Sequence, residues 1–303
     1  FQAEDGIRDC LLSRGLGDVY KRQIISSAFA QSNKVGAKYV YEFRDGTVII
    51  GTFVKDEGGN IYINDLKGEE VYLPKVMVAQ THEVTDDNLR GGEYWFPNLH
   101  DTRYFFAPSA FGLEQGEGYY THSFWMLWQA QYGLTNDFSI GGGTTPFGVP
   151  STLNAKYSFN IKHDINMAMG WFWIGDLFNW SGGDIGTMVN MPYAVLTKGS
   201  KENNLTLGMG YSMGGDFSED DSPVINLGGT FRTGRRFALI FEAWVFDPAD
   251  EANVLGGPGI RYFRKVNRVT AKNGAGASTW DFQLLTSPEM EGVIPMFGAS
   301  RKF

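Results

Sequence analysis

The chain has a single cysteine in 303 residues, Cys10, so no disulfide framework, thiolate nucleophile or cysteine-based metal site can be drawn from it. It has no apolar run near the roughly 18 residues that a spanning helix needs, and the nearest approach, Met167 to Gly175, is too short. Positive charge is also scarce. Lys and Arg total 26 against 34 Asp and Glu, a net charge of -8, which excludes the basic surface through which nucleic-acid binding releases counterions. The four histidines, His82, His100, His122 and His163, show no HExxH or other metal spacing. No G-x-S-x-G elbow or P-loop occurs, and Gly141-Gly142-Gly143 lies inside a strand pattern with no Lys-Ser/Thr after it. No catalytic, cofactor-binding or metal residue is assigned, and no cofactor is expected.

What the chain has in quantity is glycine (39) and aromatics (Phe 23, Tyr 14, Trp 8), at a mean hydropathy of only -0.23. This mixture suits strands whose two faces differ in polarity. In 153–162, Leu153, Ala155, Tyr157, Phe159 and Ile161 alternate with Asn154, Lys156, Ser158, Asn160 and Lys162. In 204–213, Leu205, Leu207, Met209, Tyr211 and Met213 alternate with Asn204, Thr206, Gly208, Gly210 and Ser212. The stretch 224–232 repeats the pattern with Ile225, Leu227 and Phe231 on one face. Alternation over about ten residues is the signature of a membrane barrel, apolar outside and polar inside. Soluble sandwich strands are nearer five or six.

The connections agree. Tight turns are expected at 133–137, 162–164, 198–202 and 233–235, with longer Gly/Pro/Asp-rich links between them at 145–151, 176–184, 214–222 and 247–256. Such alternation fits short periplasmic turns and longer external loops. Tyr119, Tyr120, Tyr132, Trp171, Trp173, Trp180 and Trp280 stand near strand ends, where amphipathic rings favour the lipid interface. The fold class expected is all-β: a transmembrane antiparallel up-and-down β-barrel over 93–303, of about twelve strands with ten possible, with Thr102–Phe106 as its first strand and 118–132 as its second. The segment 86–117 reads as linker, first strand and loop, and 265–278 is the least clear, with Asn273-Gly274 as its best turn. The last run ends on Phe303, an aromatic terminus of the kind that resembles the signal read by the barrel-assembly machinery.

Ahead of the barrel, 35–85 reads as a small β-module. Tyr39–Phe43, Val48–Val54, Ile61–Ile63, Glu70–Leu73 and Val76–Val78 are strand-like, Asp45-Gly46 supplies a hairpin turn, and Gly51 marks a bend or bulge. The pieces suit a small SH3-like or Sm-like barrel or a plain meander, placed in the periplasm with a possible protein partner. Residues 1–23 resemble a translated sequencing adapter. Ala28-Phe29-Ala30, within 24–30, has the A-x-A form of a signal-peptide remnant.

Tyr94-Trp95-Phe96-Pro97-Asn98, then Arg103-Tyr104-Phe105-Phe106-Ala107-Pro108-Ser109-Ala110-Phe111-Gly112-Leu113, Gly116-Glu117-Gly118-Tyr119-Tyr120 and 132–143 together resemble a Bacteroidota family of outer-membrane β-barrel proteins of unassigned activity. The resemblance spans most of 38–303. It implies location and fold, and it carries no catalytic or ligand residues. The 103–120 run reads either as a strand-loop-strand or as a loop folded over or into the barrel mouth.

In the expected register Lys156, Arg232, Glu242, Arg261 and Asp281 point into the lumen. They either compensate one another in a plugged barrel, which is the favoured reading, or line a water-filled pore. The function expected is a structural or passive-transport role in the outer membrane, with outer-membrane lipid and the assembly machinery as partners and no nucleic acid. The alternatives are an outer-membrane lipid-modifying enzyme using His122 and a soluble all-β binding protein.

Overall fold

The computed structural model describes residues 33–45, 47–84, 89–91, 93–124, 126–178, 186–213, 221–248, 252–265 and 277–303. The chain divides into two compact units, with the boundary between Thr85 and Asp86.

The first unit is a five-stranded sheet of β1 (Lys38–Phe43), β2 (Val48–Glu57), β3 (Asn60–Asp65), β4 (Glu70–Pro74) and β5 (Val78–Glu83). Its order is β4-β3-β2-β1-β5. A plain meander is excluded, because the last strand returns to pair with the first. Val76–Val78 is not the strand expected: a 3-10 turn at Lys75–Met77 follows Pro74, and β5 begins at Val78. Alternate residues supply a core of Tyr39, Tyr41, Phe43, Phe53, Ile61, Ile63 and Leu73. Gly51 carries no register shift, which falls instead between Phe53 and Lys55. Its role is close approach, since a Cβ there would lie 2.6 Å from Ile63 Cδ1. Gly46 lies outside the described residues, but Asp45 Oδ1 accepts the Thr47 N–H at 2.8 Å across that turn.

In the second unit a two-residue pair, β6 (Leu89–Arg90) and β7 (Glu93–Tyr94), precedes twelve barrel strands. These are β8 (Gly118–Ser123), β9 (Leu127–Gly133), β10 (Phe138–Thr144), β11 (Ser151–Lys162), β12 (Ile165–Gly175), β13 (Thr187–Gly199), β14 (Asn203–Ser212), β15 (Ser222–Arg232), β16 (Phe237–Phe246), β17 (Asn253–Lys265), β18 (Ser278–Leu285) and β19 (Ile294–Lys302). Each pairs antiparallel with its neighbours, and β19 closes on β8, which leaves no sheet edge. The faces separate as the alternation requires. Leu205 and Leu207 are 49% and 57% exposed on the outside, and Thr206 between them is 1% exposed.

The number of strands matches the expectation, but two of its members differ. Residues 118–132 form a hairpin rather than one strand, turning at Phe124 (φ 52), with Met126 N–H bonding Ser123 O at 3.0 Å. Thr102–Phe106 is no barrel strand; it belongs to a segment lying inside the barrel. Tyr119 consequently faces inward and is buried, and Trp173 is buried as well, so neither joins an exposed girdle. Tyr120, Tyr132, Trp171 and Trp280 are exposed on the outer face. Trp180 and the turn at Asn273-Gly274 lie outside the described residues.

Candidate functional site

Inward positions on a barrel strand recur every second residue, so each strand offers the lumen a short ladder of side chains. The five charged residues expected there are all on it: Lys156 on β11, Arg232 on β15, Glu242 on β16, Arg261 on β17 and Asp281 on β18, each buried. Charges at such depth need partners or they cost several kcal/mol each. Their partners are mostly not one another. They are the backbone of 96–111, which threads the lumen.

Arg261, fully buried, is the centre of one clamp. Its Nε and Nη2 donate to the two carboxylate oxygens of Asp281 at 2.8 and 2.9 Å. The remaining donors reach His100 O at 2.6 Å, Arg103 O at 3.3 Å and Tyr104 O at 2.7 Å. The planar guanidinium fork satisfies a carboxylate on one edge and carbonyls on the other. Arg103, from the threaded segment, adds a second cation to Asp281 at 3.2 Å.

Glu242 does the converse. Its Oε2 accepts the consecutive N–H groups of Phe105, Phe106 and Ala107 at 2.9, 2.9 and 3.0 Å, while Trp244 Nε1 donates to its Oε1 at 3.3 Å. Successive amides turned toward one anion form a nest. Lys156 Nζ donates to three carbonyls, Thr102 O at 3.2 Å, Ser109 O at 3.1 Å and Phe111 O at 2.8 Å. At the start of the segment Arg232 donates to Phe96 O at 3.2 Å and to Glu202 at 3.0 Å, and Glu202 accepts the Asn98 N–H at 2.5 Å.

The expectation of mutual compensation among the lumen charges is thus corrected. Among these five only Arg261 and Asp281 pair directly; Lys156 faces carbonyls and Glu242 faces amides of the inserted backbone.

Uncharged groups complete the fit. Tyr104 OH bonds Asn204 Oδ1 at 2.7 Å and Thr206 Oγ1 at 2.5 Å, and Thr197 Oγ1 takes the Ala110 N–H at 2.8 Å. Gly228 makes room for the Tyr104 ring, which a Cβ there would meet at 2.5 Å. Further contacts escaped the sequence reading: Lys201 with Asp101 at 3.1 Å, Lys302 with Glu117, and Ser300 with His100 Nδ1 at 3.2 Å. Alternation could have marked Ser300 and Lys302 as inward, since they share the parity of Gly298 on β19. No local signal marked Asp101 or Glu117.

Phe303 extends the last strand: its N–H bonds Gly118 O at 2.9 Å and its side chain is half exposed. His122 points outward and Ser123 inward, as adjacent strand residues must, so they form no dyad. Among the described residues no group of three or more His, Cys, Asp or Glu is arranged to hold a metal.

No family model matches the chain. No curated protein matches it either. Among solved structures, the chain is similar to a KdgM porin at 9% identity and TM-score 0.43, covering 62% of this chain and 99% of that one. It is similar to a NanC porin at 11% identity and TM-score 0.40, covering 61% and 97%. It is also similar to a loop-deletion mutant of OmpT, an outer membrane protein of Vibrio cholerae, at 12% identity and TM-score 0.33, covering 88% and 96%. The barrel described above rests on its own strand pairing, which closes through β8 and β19.

Proposed function

We propose that the chain is an outer-membrane β-barrel of the Gram-negative envelope, closed at rest by its own residues 96–117, with a structural or gated passive-transport role. One observation carries this reading: three buried lumen charges, Lys156, Glu242 and Arg261, bond the backbone of the threaded segment. A porin lumen keeps such groups for water and ions. The apolar outer face and the absence of a free sheet edge support membrane insertion.

Four short turns, β9–β10, β11–β12, β13–β14 and β15–β16, lie at the same end of the barrel as the C-terminus, and we assign that end to the periplasm. The N-terminal β-module then lies in the periplasm and binds a protein partner there. Its strand order and the 3-10 turn before β5 support an SH3-like reading. Phe303 is the proposed handle for the assembly machinery.

The test is ion conductance of the refolded chain in a planar bilayer, with a heat-modifiable gel band as proof of folding. Intact protein is expected to be silent, and deletion of 97–113 to give steady single-channel steps. Steady steps from the intact chain would overturn the closed-barrel reading. Solubility of the folded chain without detergent would overturn the membrane assignment.

A further inference from the structure

The outer wall of the barrel carries a groove at the end that holds the C-terminus. Strand register lays one row of side chains across it: Phe237, Tyr262, Trp280, Ala299 and His122, each opposite the next on the neighbouring strand. Phe237, Tyr262 and Trp280 pack side by side along the row, with ring centroids 5.1 and 6.1 Å apart. Such a row of rings marks the level of the lipid headgroups. Ala299 interrupts it with a single methyl group between Trp280 and His122, and that notch belongs to a groove of about 330 Å³. Phe297, two residues farther from the C-terminus, continues the apolar lining.

The end of the groove nearer the C-terminus is cationic. The next row in that direction is Ser278, Arg301 and Tyr120, and Arg301 is exposed. Arg264, also exposed, reaches the same groove from β17. The register shifts between Phe263 and Lys265, which leaves Arg264 opposite no residue of β18, and its guanidinium lies over the Trp280 ring at 5.0 Å. A bulge re-aims a side chain in this way, and a ring against its face leaves the N–H edges of the guanidinium open. Among the described residues neither arginine has a carboxylate partner, and no Asp or Glu lines the groove. The sequence from Tyr262 to Trp280 holds four basic residues and no acidic one, in a chain whose net charge is -8. Two guanidinium groups without a carboxylate, beside an apolar notch at headgroup level, suit an anion that carries a hydrocarbon chain.

We propose that this groove binds one anionic phospholipid of the periplasmic leaflet, its phosphate held by Arg264 and Arg301 and one acyl chain lying over Ala299 and Phe297. Phosphatidylglycerol fits better than a zwitterionic lipid, because no carboxylate stands in the groove to take an ammonium group. Inorganic phosphate lacks the chain that the notch accommodates. The inference rests on membrane insertion and on the periplasmic assignment of the C-terminal end, and it is independent of whether the lumen is closed.

The experiment uses the full chain, folded in a non-ionic detergent and checked by its heat-modifiable band. Phosphatidylglycerol, phosphatidylethanolamine and phosphatidylcholine are the probes, read by native mass spectrometry. The first phosphatidylglycerol is expected to bind more tightly than the first molecule of either zwitterionic lipid, and later molecules of all three to bind alike. Arg264→Gln and Arg301→Gln should each weaken that first site about fivefold, the value of one cation near a headgroup, and together they should abolish the preference. Ala299→Phe, which fills the notch and keeps both arginines, should remove the tight site. Equal affinity of the three lipids for the parent chain, a preference that survives in the double variant, or a tight site that Ala299→Phe leaves intact would each overturn the proposal. Full displacement of phosphatidylglycerol by an equal concentration of inorganic phosphate would overturn it too, because the acyl chain would then play no part. Should the double variant show no heat-modifiable band, Ala299→Phe decides alone. A folded chain that stays soluble without detergent sinks the membrane reading, whereas one that needs detergent and shows no first-site preference sinks this inference alone.

Discussion

One carboxylate oxygen of Glu242 holds three consecutive amides of the threaded segment. Glu242→Ala would leave three buried N–H groups unpaired and loosen the segment by on the order of 3–5 kcal/mol, the usual cost of breaking one side of a buried charged contact. The expected result is intermittent channel opening and faster hydrogen exchange at Phe105–Ala107. Glu242→Gln keeps an acceptor oxygen and should stay mostly silent. The module offers the opposite case. Tyr41 is fully buried and its hydroxyl has no partner. Burial raises its ionisation above the ordinary value, so the unfolded chain releases that proton first, near pH 10. The stability it contributes is whole below about pH 10 and is lost as pH rises toward the folded value. Tyr41→Phe should leave the module unchanged or up to about 1 kcal/mol more stable at neutral pH, and should remove this share of its alkaline loss. Hydrogen exchange of the Val40 and Ile63 amides in the full chain against urea, at pH 7 and pH 10.5, would show it.

Elements differ in how openly the sequence announces them. The alternation of 204–213 became β14 with almost the bounds expected, because every second residue meets a different medium. The β8–β9 turn was hidden. It has no Gly, Pro or Asn in His122–Leu127, and Phe124 takes a positive φ that its side chain does not advertise. Thr102–Phe106 misled for a related reason. Aromatics and β-branched residues suit a strand, but they equally suit a coil packed on all sides. The lumen parity of Lys156, Glu242 and Arg261 was legible, while their partners were not, since carbonyl and amide groups are the same at every residue. A glycine opposite an aromatic is the one side-chain trace of the fit. Gly228→Val should drive the Tyr104 ring from its seat and release its bonds to Asn204 and Thr206. The barrel should still form the heat-modifiable band. The 97–113 stretch should become open to protease, and resistance equal to that of the parent protein would count against this packing.

At the scale of the whole molecule, closure depends on one pairing, β19 with β8, at the end of the chain. Phe303 extends that strand by a backbone bond to Gly118, and its ring crowds the space that a Cβ on Gly118 would need. Phe303→Ala should therefore slow insertion in the presence of the assembly machinery by several-fold. It should leave the stability of the finished barrel nearly unchanged, because the ring is half exposed. Equal insertion rates for the two proteins would remove Phe303 from the recognition signal.

The order of the clamps along the chain has a mechanical consequence. Walking along the chain, the segment meets Arg232 and Glu202 at Phe96 and Asn98, then Arg261 at His100–Tyr104 with Lys156 at Thr102, then Glu242 at Phe105–Ala107, Lys156 again at Ser109 and Phe111, and last Lys302 at Glu117. A load applied from the N-terminal side falls on the first clamp alone and reaches each next one only after its predecessor has let go. The segment would peel in stages at low force, whereas a load applied to all clamps at once would have to shear them together. The same lock is strong against thermal opening and weak against a tug from one end.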